Sequence, residues 1–207
     1  MCKTFTDIDN FVDNMLYGKI IEVAGANNSY KTSCALSISR SVLNNDQDAI
    51  VVYIDSDSHM RQKYLEDYSI DIDRFFIMNT SDPSEILNIL TQVVSDNISN
   101  IIFIIDTISN LKVNSAYREL KSFLVKLTKI IYNHNIVVIA INQYRYDSRK
   151  KQYVSFCESC FDAYASMRLC IINKQDDSLM LHIAKNKLTG QFDCPVIIYI
   201  GKTSANQ

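Results

Sequence analysis

The chain has 207 residues, 47% of them hydrophobic and 21% charged, with a formal net charge of -2 at pH 7. Four glycines and two prolines exclude collagen-like and Pro/Gly-rich disordered chains, and six cysteines are too few for a disulfide scaffold, so an intracellular, cytoplasmic protein with reduced thiols is expected. No apolar run approaches the ~20 residues of a membrane span, and the slightly acidic balance argues against a general polycation while leaving room for a local basic patch.

Taken in chain order, apolar strands alternate with amphipathic helices, the pattern of an α/β fold with a mostly parallel sheet and helices on both faces. Lys19 to Val23 reads as a strand running directly into Gly25, and residues 31 to 43 as a helix. Ala49 to Ile54 reads as a buried strand ending on Asp55 and Asp57. Asp82, Pro83 and Glu85 form a helix start, with N-cap, N1 and N3 residues of the favoured types. That helix carries Ile86, Ile89, Leu90, Val93 and Val94. Ile101 to Ile105 contains no polar residue, as expected of a strand covered on both faces, and ends on Asp106. Residues 115 to 133 predict a helix and Ile136 to Ile141 a further buried strand. Beyond residue 165, strands at Met167 to Ile172, Leu179 to Ala184 and Pro195 to Ile200 suggest an antiparallel extension. The absence of a repeat or linker predicts one domain over 1–207, with a short N-terminal segment at 1–17.

The strongest chemical signal is Gly25-Ala26-Asn27-Asn28-Ser29-Tyr30-Lys31-Thr32 between a strand and a helix. A phosphate-binding loop needs inward backbone N–H groups, a lysine for the phosphates and a hydroxyl for Mg²⁺ at the helix N-terminus. Gly25, Lys31 and Thr32 have that spacing, but Tyr30 stands where glycine is expected before the lysine. Asp106, at the tip of a buried strand, supplies the carboxylate that would hold the water shell of Mg²⁺.

With these segments the sequence resembles the RecA recombinase family over about residues 17 to 201. The likeness is carried in order by Gly18 to Glu22 with the phosphate loop, Val52 to Asp55, Tyr64, Ser69 to Asp73, and Ile105 to Ile108. It continues through Ile141 to Arg145, Tyr164 to Leu169, and Lys185 to Lys187. The resemblance implies a RecA-like P-loop NTPase core that binds ATP and Mg²⁺. Gly25, Asn28, Ser29, Tyr30, Lys31, Thr32 and Ser33 would form the nucleotide loop, Tyr64 would stack on adenine, and Thr32 and Asp106 would hold Mg²⁺. Gln143 would act as the sensor of the γ-phosphate, Asp57 would take the place of the family's water-activating glutamate, and Lys185 and Lys187 would reach a neighbouring subunit's nucleotide. Asp57 is one methylene shorter than glutamate, and a displacement of order 1 Å can cost ~10²-fold in rate.

Residues 143–163 correspond to the family's second DNA-binding loop. Arg145, Arg149, Lys150 and Lys151, with Tyr144, Tyr146 and Tyr153 among them, suit backbone contacts and base stacking on single-stranded DNA. The expected function is ATP-dependent action on single-stranded DNA in recombination, strand annealing or repair, with self-association into a filament or ring and no membrane partner. The alternatives are a non-hydrolysing accessory protein, and a helicase-type or signalling ATPase. Cys157 and Cys160 lack a second pair for a structural zinc site. The short N-terminal segment and the absence of a C-terminal domain resemble a stripped core of the kind carried by viruses and mobile elements.

Overall fold

The computed structural model describes residues 18–95, 100–132, 134, 136–173, 179–187 and 194–196. Its strands are β1 (Lys19–Gly25), β2 (Ala49–Asp55), β3 (Phe75–Met78), β4 (Asn100–Asp106), β5 (Ile136–Asp147), β6 (Gln152–Ser155), β7 (Met167–Asn173), β8 (Leu179–Asn186) and β9 (Cys194–Val196). The helices are α1 (Lys31–Asn45), α2 (Gln62–Asp67), α3 (Pro83–Ser95), α4 (Ala116–Ile131) and α5 (Glu158–Tyr164).

The strands form a sheet in the order β3-β2-β4-β5-β1-β7-β8-β9, with β6 paired to β5. Pairings from β3 through β7 along this order are parallel, whereas β7–β8 and β8–β9 are antiparallel. The expected α/β fold with a C-terminal antiparallel extension is therefore present. Residues 197–200 of the last predicted strand, and the segment 1–17, lie outside the described residues.

Strand alternation divides the core between the two faces of the sheet. Ile21, Val23, Val51, Tyr53, Ile102, Ile104, Val137 and Ile139 pack with the apolar residues of α1. Ile20, Val52, Ile54, Ile101, Phe103, Ile105, Val138 and Ala140 pack with those of α3, α4 and α5. Strands covered on both faces have no solvent side to encode, so they read as unbroken apolar runs.

Two expectations need correction. The strand beginning at Ile136 does not stop at Ile141 but continues to Asp147, where residues 144–147 pair with 152–155 as a β-hairpin. Residues 143–163 are thus a hairpin followed by α5, not a loop. The physical reason is local: Tyr144 and Tyr146 oppose Ser155 and Tyr153, which suit a pleated surface, and the Asp147 carboxylate accepts the N–H groups of Arg149 and Lys150 to close the turn. The short elements β3 and α2 have no counterpart among the predicted elements, because four to six residues show too little periodicity to detect.

Candidate functional site

Parallel strands bring their C-terminal ends to one edge, and there the loop after β1 meets the ends of β2, β4 and β5. The register places Asp55 beside Asp106 and Gly25 beside Gln143. Gly25 is required by packing: a Cβ there would run into the Ser29 side chain and lie 3.2 Å from the Ile171 carbonyl oxygen. Asn28 and Tyr30 both adopt left-handed backbone, with φ of 59° and 62°. Tyr30 therefore takes the conformation that glycine adopts without steric cost, and immediately precedes the first turn of α1, where its carbonyl accepts the Cys34 N–H at 2.9 Å.

The Lys31 ammonium turns back into this loop, donating to the Ala26 carbonyl at 2.5 Å and to Ser29 Oγ at 3.3 Å. Burial pushes its pKa down, opposed by the charge of Asp106. A buried ammonium held by one carbonyl and one hydroxyl, at the N-terminus of a 15-residue helix, is suited to exchange those partners for phosphate oxygens.

Thr32 Oγ1 donates to Asp106 Oδ2 at 2.6 Å, joining loop and strand tip across 74 positions of sequence. Tyr53, in the middle of an otherwise apolar strand, donates its hydroxyl to the same oxygen at 2.5 Å. Burial pushes the Asp106 carboxyl above its ordinary range, the Thr32 and Tyr53 hydroxyls oppose that shift, and the charges of Asp55 and Asp57 add to it. Ser56 Oγ lies 3.0 and 3.1 Å from the Asp106 and Thr107 carbonyls and 3.2 Å from Asp57 Oδ1, three acceptors that share its one hydroxyl proton, and accepts the Thr107 N–H at 2.8 Å. Buried Asp55 accepts the Met60 N–H at 2.7 Å, fixing the chain that leaves β2. Asp57 accepts from the Asn110 amide and from Ser56 Oγ.

These groups line a cleft of about 730 Å³. Asn28, Ser29, Tyr30, Lys31, Thr32, Ser33, Asp57, Tyr64, Asp106 and Gln143 all border it, so separate segments of the predicted site converge. Tyr64 is 50% exposed, leaving much of its surface open at the cleft. Tyr53, His59, Met60 and Tyr68 also border it and were not among the predicted residues. Tyr53 alone carried a signal, as the polar interruption in Ala49-Ile-Val-Val-Tyr-Ile-Asp55. The donor set fits a phosphate chain with Mg²⁺: a hydroxyl and a carboxylate meet beside a buried ammonium, and Gly25 leaves room for close packing.

Lys185 and Lys187 do not border the cleft. They cap α5 of their own chain: the Lys185 ammonium donates to the Asp162 carbonyl at 2.5 Å and that of Lys187 to the Ala163 carbonyl at 2.8 Å. Cations are favoured beside the unpaired carbonyls of a helix C-terminus. Burial, with the neighbouring Lys187 charge, pushes the Lys185 pKa down to about 8.

The hairpin divides the predicted DNA-binding cations. Arg145 lies 4.2 Å from the Phe156 ring centroid and donates to the Ser109 carbonyl at 3.2 Å. Lys150 pairs with Glu158 at 2.6 Å. Arg149 and Lys151 are exposed with no side-chain ion pair among the described residues. Tyr146 and Tyr153 are 59% and 71% exposed with ring centroids 5.5 Å apart, forming an open aromatic pair. Beneath the hairpin, Arg168 pairs with fully buried Glu22 at 2.5 Å and with Asp162 at 3.1 Å. Asn142 donates to Glu22 at 2.8 Å and to the Phe156 carbonyl at 2.9 Å. Cys157 precedes α5 with left-handed backbone and Cys160 is buried, and no trio of His, Cys, Asp or Glu among the described residues is arranged as a metal centre.

Comparison with protein families matches residues 5–187 to the RecA N-terminal domain. No curated protein matches the sequence. Among the described residues no helix is long and apolar enough to cross a membrane.

Proposed function

The chain belongs to the RecA family, and from that premise we propose that it is a recombination-related protein that binds ATP with Mg²⁺ in the cleft and engages single-stranded DNA through the β5–β6 hairpin. The observation carrying this reading is the junction of Thr32 and Asp106 beside the Lys31 ammonium. Lys31 would exchange the Ala26 carbonyl for phosphate oxygens, and backbone N–H groups of residues 28–32 would hold the same group. Thr32 and Asp106 would hold Mg²⁺, which when bound neutralises charge on the phosphates. Tyr64 would provide the surface for the base.

Asp57 would orient water for hydrolysis, although its carboxylate already accepts from Asn110 and Ser56. Gln143 lies at the end of the cleft and at the root of the hairpin, since its carbonyl accepts the Phe156 N–H at 2.9 Å. It would couple the occupied cleft to the hairpin, where Tyr146 and Tyr153 would stack on bases and Arg149 and Lys151 would meet phosphates. Lys185 and Lys187 would complete the site of a neighbouring copy only by leaving the carbonyls of α5. Self-association along DNA, in one-domain units, would supply the affinity that so few cations per chain do not.

The test is Mg²⁺-dependent ATP binding and DNA-stimulated ATP hydrolysis by purified protein beside Lys31→Ala. Binding and stimulated turnover lost in the variant support the reading. Binding without turnover above that variant favours a non-hydrolysing accessory protein, and equal ATP affinity in both overturns the nucleotide site.

A further inference from the structure

The short 3₁₀ turn Ile108–Asn110 follows the tip of β4 and carries a polar side chain to which the nucleotide and hairpin readings give no role. Ile108, Ser109 and Leu111 are buried, which ties the turn to the core. Further bonds hold it from its own start, from the segment before α3 and from the hairpin. The Thr107 carbonyl accepts the Asn110 N–H at 3.2 Å, the Lys112 N–H donates to the Ser81 carbonyl at 2.9 Å, and the Ser109 carbonyl accepts from Arg145 at 3.2 Å. Asn110 is the exposed member of the turn, so its amide stands on a fixed base.

That amide reaches across 53 positions of sequence: Asn110 Nδ2 donates to Asp57 Oδ1. Ser56 Oγ lies 3.2 Å from the same oxygen, but it shares its one proton with the Asp106 and Thr107 carbonyls at 3.0 and 3.1 Å. Asn110 is therefore the one committed side-chain donor to Asp57 among the described residues. Both contacts fall on Oδ1, so Oδ2 keeps its lone pairs for another donor. Asp57 lies just past the end of β2, next to Ser58 in left-handed backbone at φ 56°, where no ladder pairing holds it. A carboxylate there turns freely about its broad terminal torsion unless a donor fixes it. Asp57 borders the cleft and Asn110 does not.

We infer, resting on the reading of Asp57 as the group that orients water, that Asn110 is the positioning residue of that carboxylate: its amide holds Oδ1 and thereby turns Oδ2 toward the attacking water. In that step the water oxygen bonds to the terminal phosphorus, and the bond to the bridging oxygen breaks with its electron pair leaving on ADP. The proton shed by the water passes to Oδ2 and on to the released phosphate. Aspartate reaches one methylene less far than glutamate, and a displacement of order 1 Å can cost ~10²-fold in rate, so a fixed carboxylate matters here. Because Asn110 stands behind Asp57 and outside the cleft, it acts on turnover and not on nucleotide affinity.

The test compares the full chain with Asn110→Ala and with Asn110→Asp, which keeps the shape but loses the amide donor. Asp57→Asn and its combination with Asn110→Ala complete a double-mutant cycle. The measurements, made at about pH 8 to stay well above the ordinary carboxylate range, are kcat and KM for ATP hydrolysis with oligo(dT), and the urea denaturation midpoint. Calorimetry adds the affinities for Mg²⁺-ADP and for ADP with aluminium fluoride, a mimic of the phosphoryl group in transfer. Both Asn110 variants should lower kcat by about 10- to 100-fold, with KM, ADP affinity and the midpoint unchanged. They should weaken aluminium fluoride binding by a comparable factor, since the oriented water belongs to the transition state. Adding Asn110→Ala to Asp57→Asn should cost nothing further, because the residue acts through that carboxylate. An undiminished or raised kcat overturns the inference, as does a loss in Asn110→Ala that Asn110→Asp does not share, or a full further loss in the double variant. A fall in ADP affinity or in the midpoint that matches the fall in kcat makes Asn110 structural and overturns it too. A wild-type chain that binds ATP without turnover above Lys31→Ala removes hydrolysis and this role together but leaves the nucleotide site, and one that binds no ATP removes the site as well.

Discussion

The cleft and the hairpin differ in how their polar groups are held. In the cleft, Thr32 and Tyr53 both donate to the Asp106 carboxylate and Lys31 is held by the Ala26 carbonyl, at the C-terminal edge of a buried sheet. On the hairpin, Arg149, Lys151, Tyr146 and Tyr153 face solvent, while the root is fixed by the buried Glu22–Arg168 pair and Asn142 and the turn by the pairing of Lys150 with Glu158. A preorganised site loses function when one group is removed, whereas an exposed site loses it in proportion to the charge removed. Mutations in the two regions should therefore fall into two distinct patterns.

The largest effect is expected at the root of the hairpin. Arg168→Met leaves Glu22 buried without its cation and should cost about 3–5 kcal/mol in urea denaturation; a loss below about 1 kcal/mol would break the claim that this pair anchors the hairpin. Next, Lys31→Ala should weaken Mg²⁺-ATP binding by at least about tenfold in calorimetric titration while leaving the denaturation midpoint nearly unchanged, because its native partners are one carbonyl and one hydroxyl. Tyr53→Phe removes a bond to a charged oxygen and should cost about 1.5 kcal/mol, and the Mg²⁺ concentration needed for ATP binding should rise as Asp106 loses a positioning donor.

Tyr30→Gly sharpens the comparison further. Left-handed backbone costs a non-glycine residue roughly 1–2 kcal/mol, partly offset because tyrosine restricts the unfolded chain more than glycine does. Stability should therefore change by less than about 1 kcal/mol while ATP affinity is held or improved; a loss of affinity would make the Tyr30 side chain itself part of the site. The smallest effect expected is on pH. The Asp106 carboxyl is held above its ordinary range by burial, so the folded chain binds a proton there that the unfolded chain does not. Lowering pH through that range should stabilise the ligand-free protein relative to Asp106→Asn while weakening Mg²⁺-dependent ATP binding. The same comparison made on the hairpin set should be flat across this window.

Much of the cleft was legible because its chemistry is written in short, contiguous segments. Gly25 to Thr32 shows the loop, and an apolar run ending in Asp106 shows the strand tip. The hairpin reads as a loop in the sequence because two tyrosines alternating with Arg145 and Asp147 look polar, and only the pairing with Gln152 to Ser155 makes them a strand. Tyr53 interrupts an apolar strand, but that interruption names no partner, and only the fold shows its hydroxyl meeting Asp106. The family resemblance implied a neighbouring nucleotide as the partner of Lys185 and Lys187, but their partners in this chain, the carbonyls of α5, belong to residues more than twenty positions away.

By itself the sequence determined the α/β class, the Gly25 to Thr32 turn between strand and helix, and the order of the longer elements, since periodicity and local turn chemistry act over a few neighbouring residues. The tertiary structure decided which strand ends share an edge, which cations are already spent on Glu158 or on helix carbonyls, and which remain exposed on the hairpin. Those outcomes depend on contacts between distant segments, where burial and pairing, not residue type, set what a charge can do.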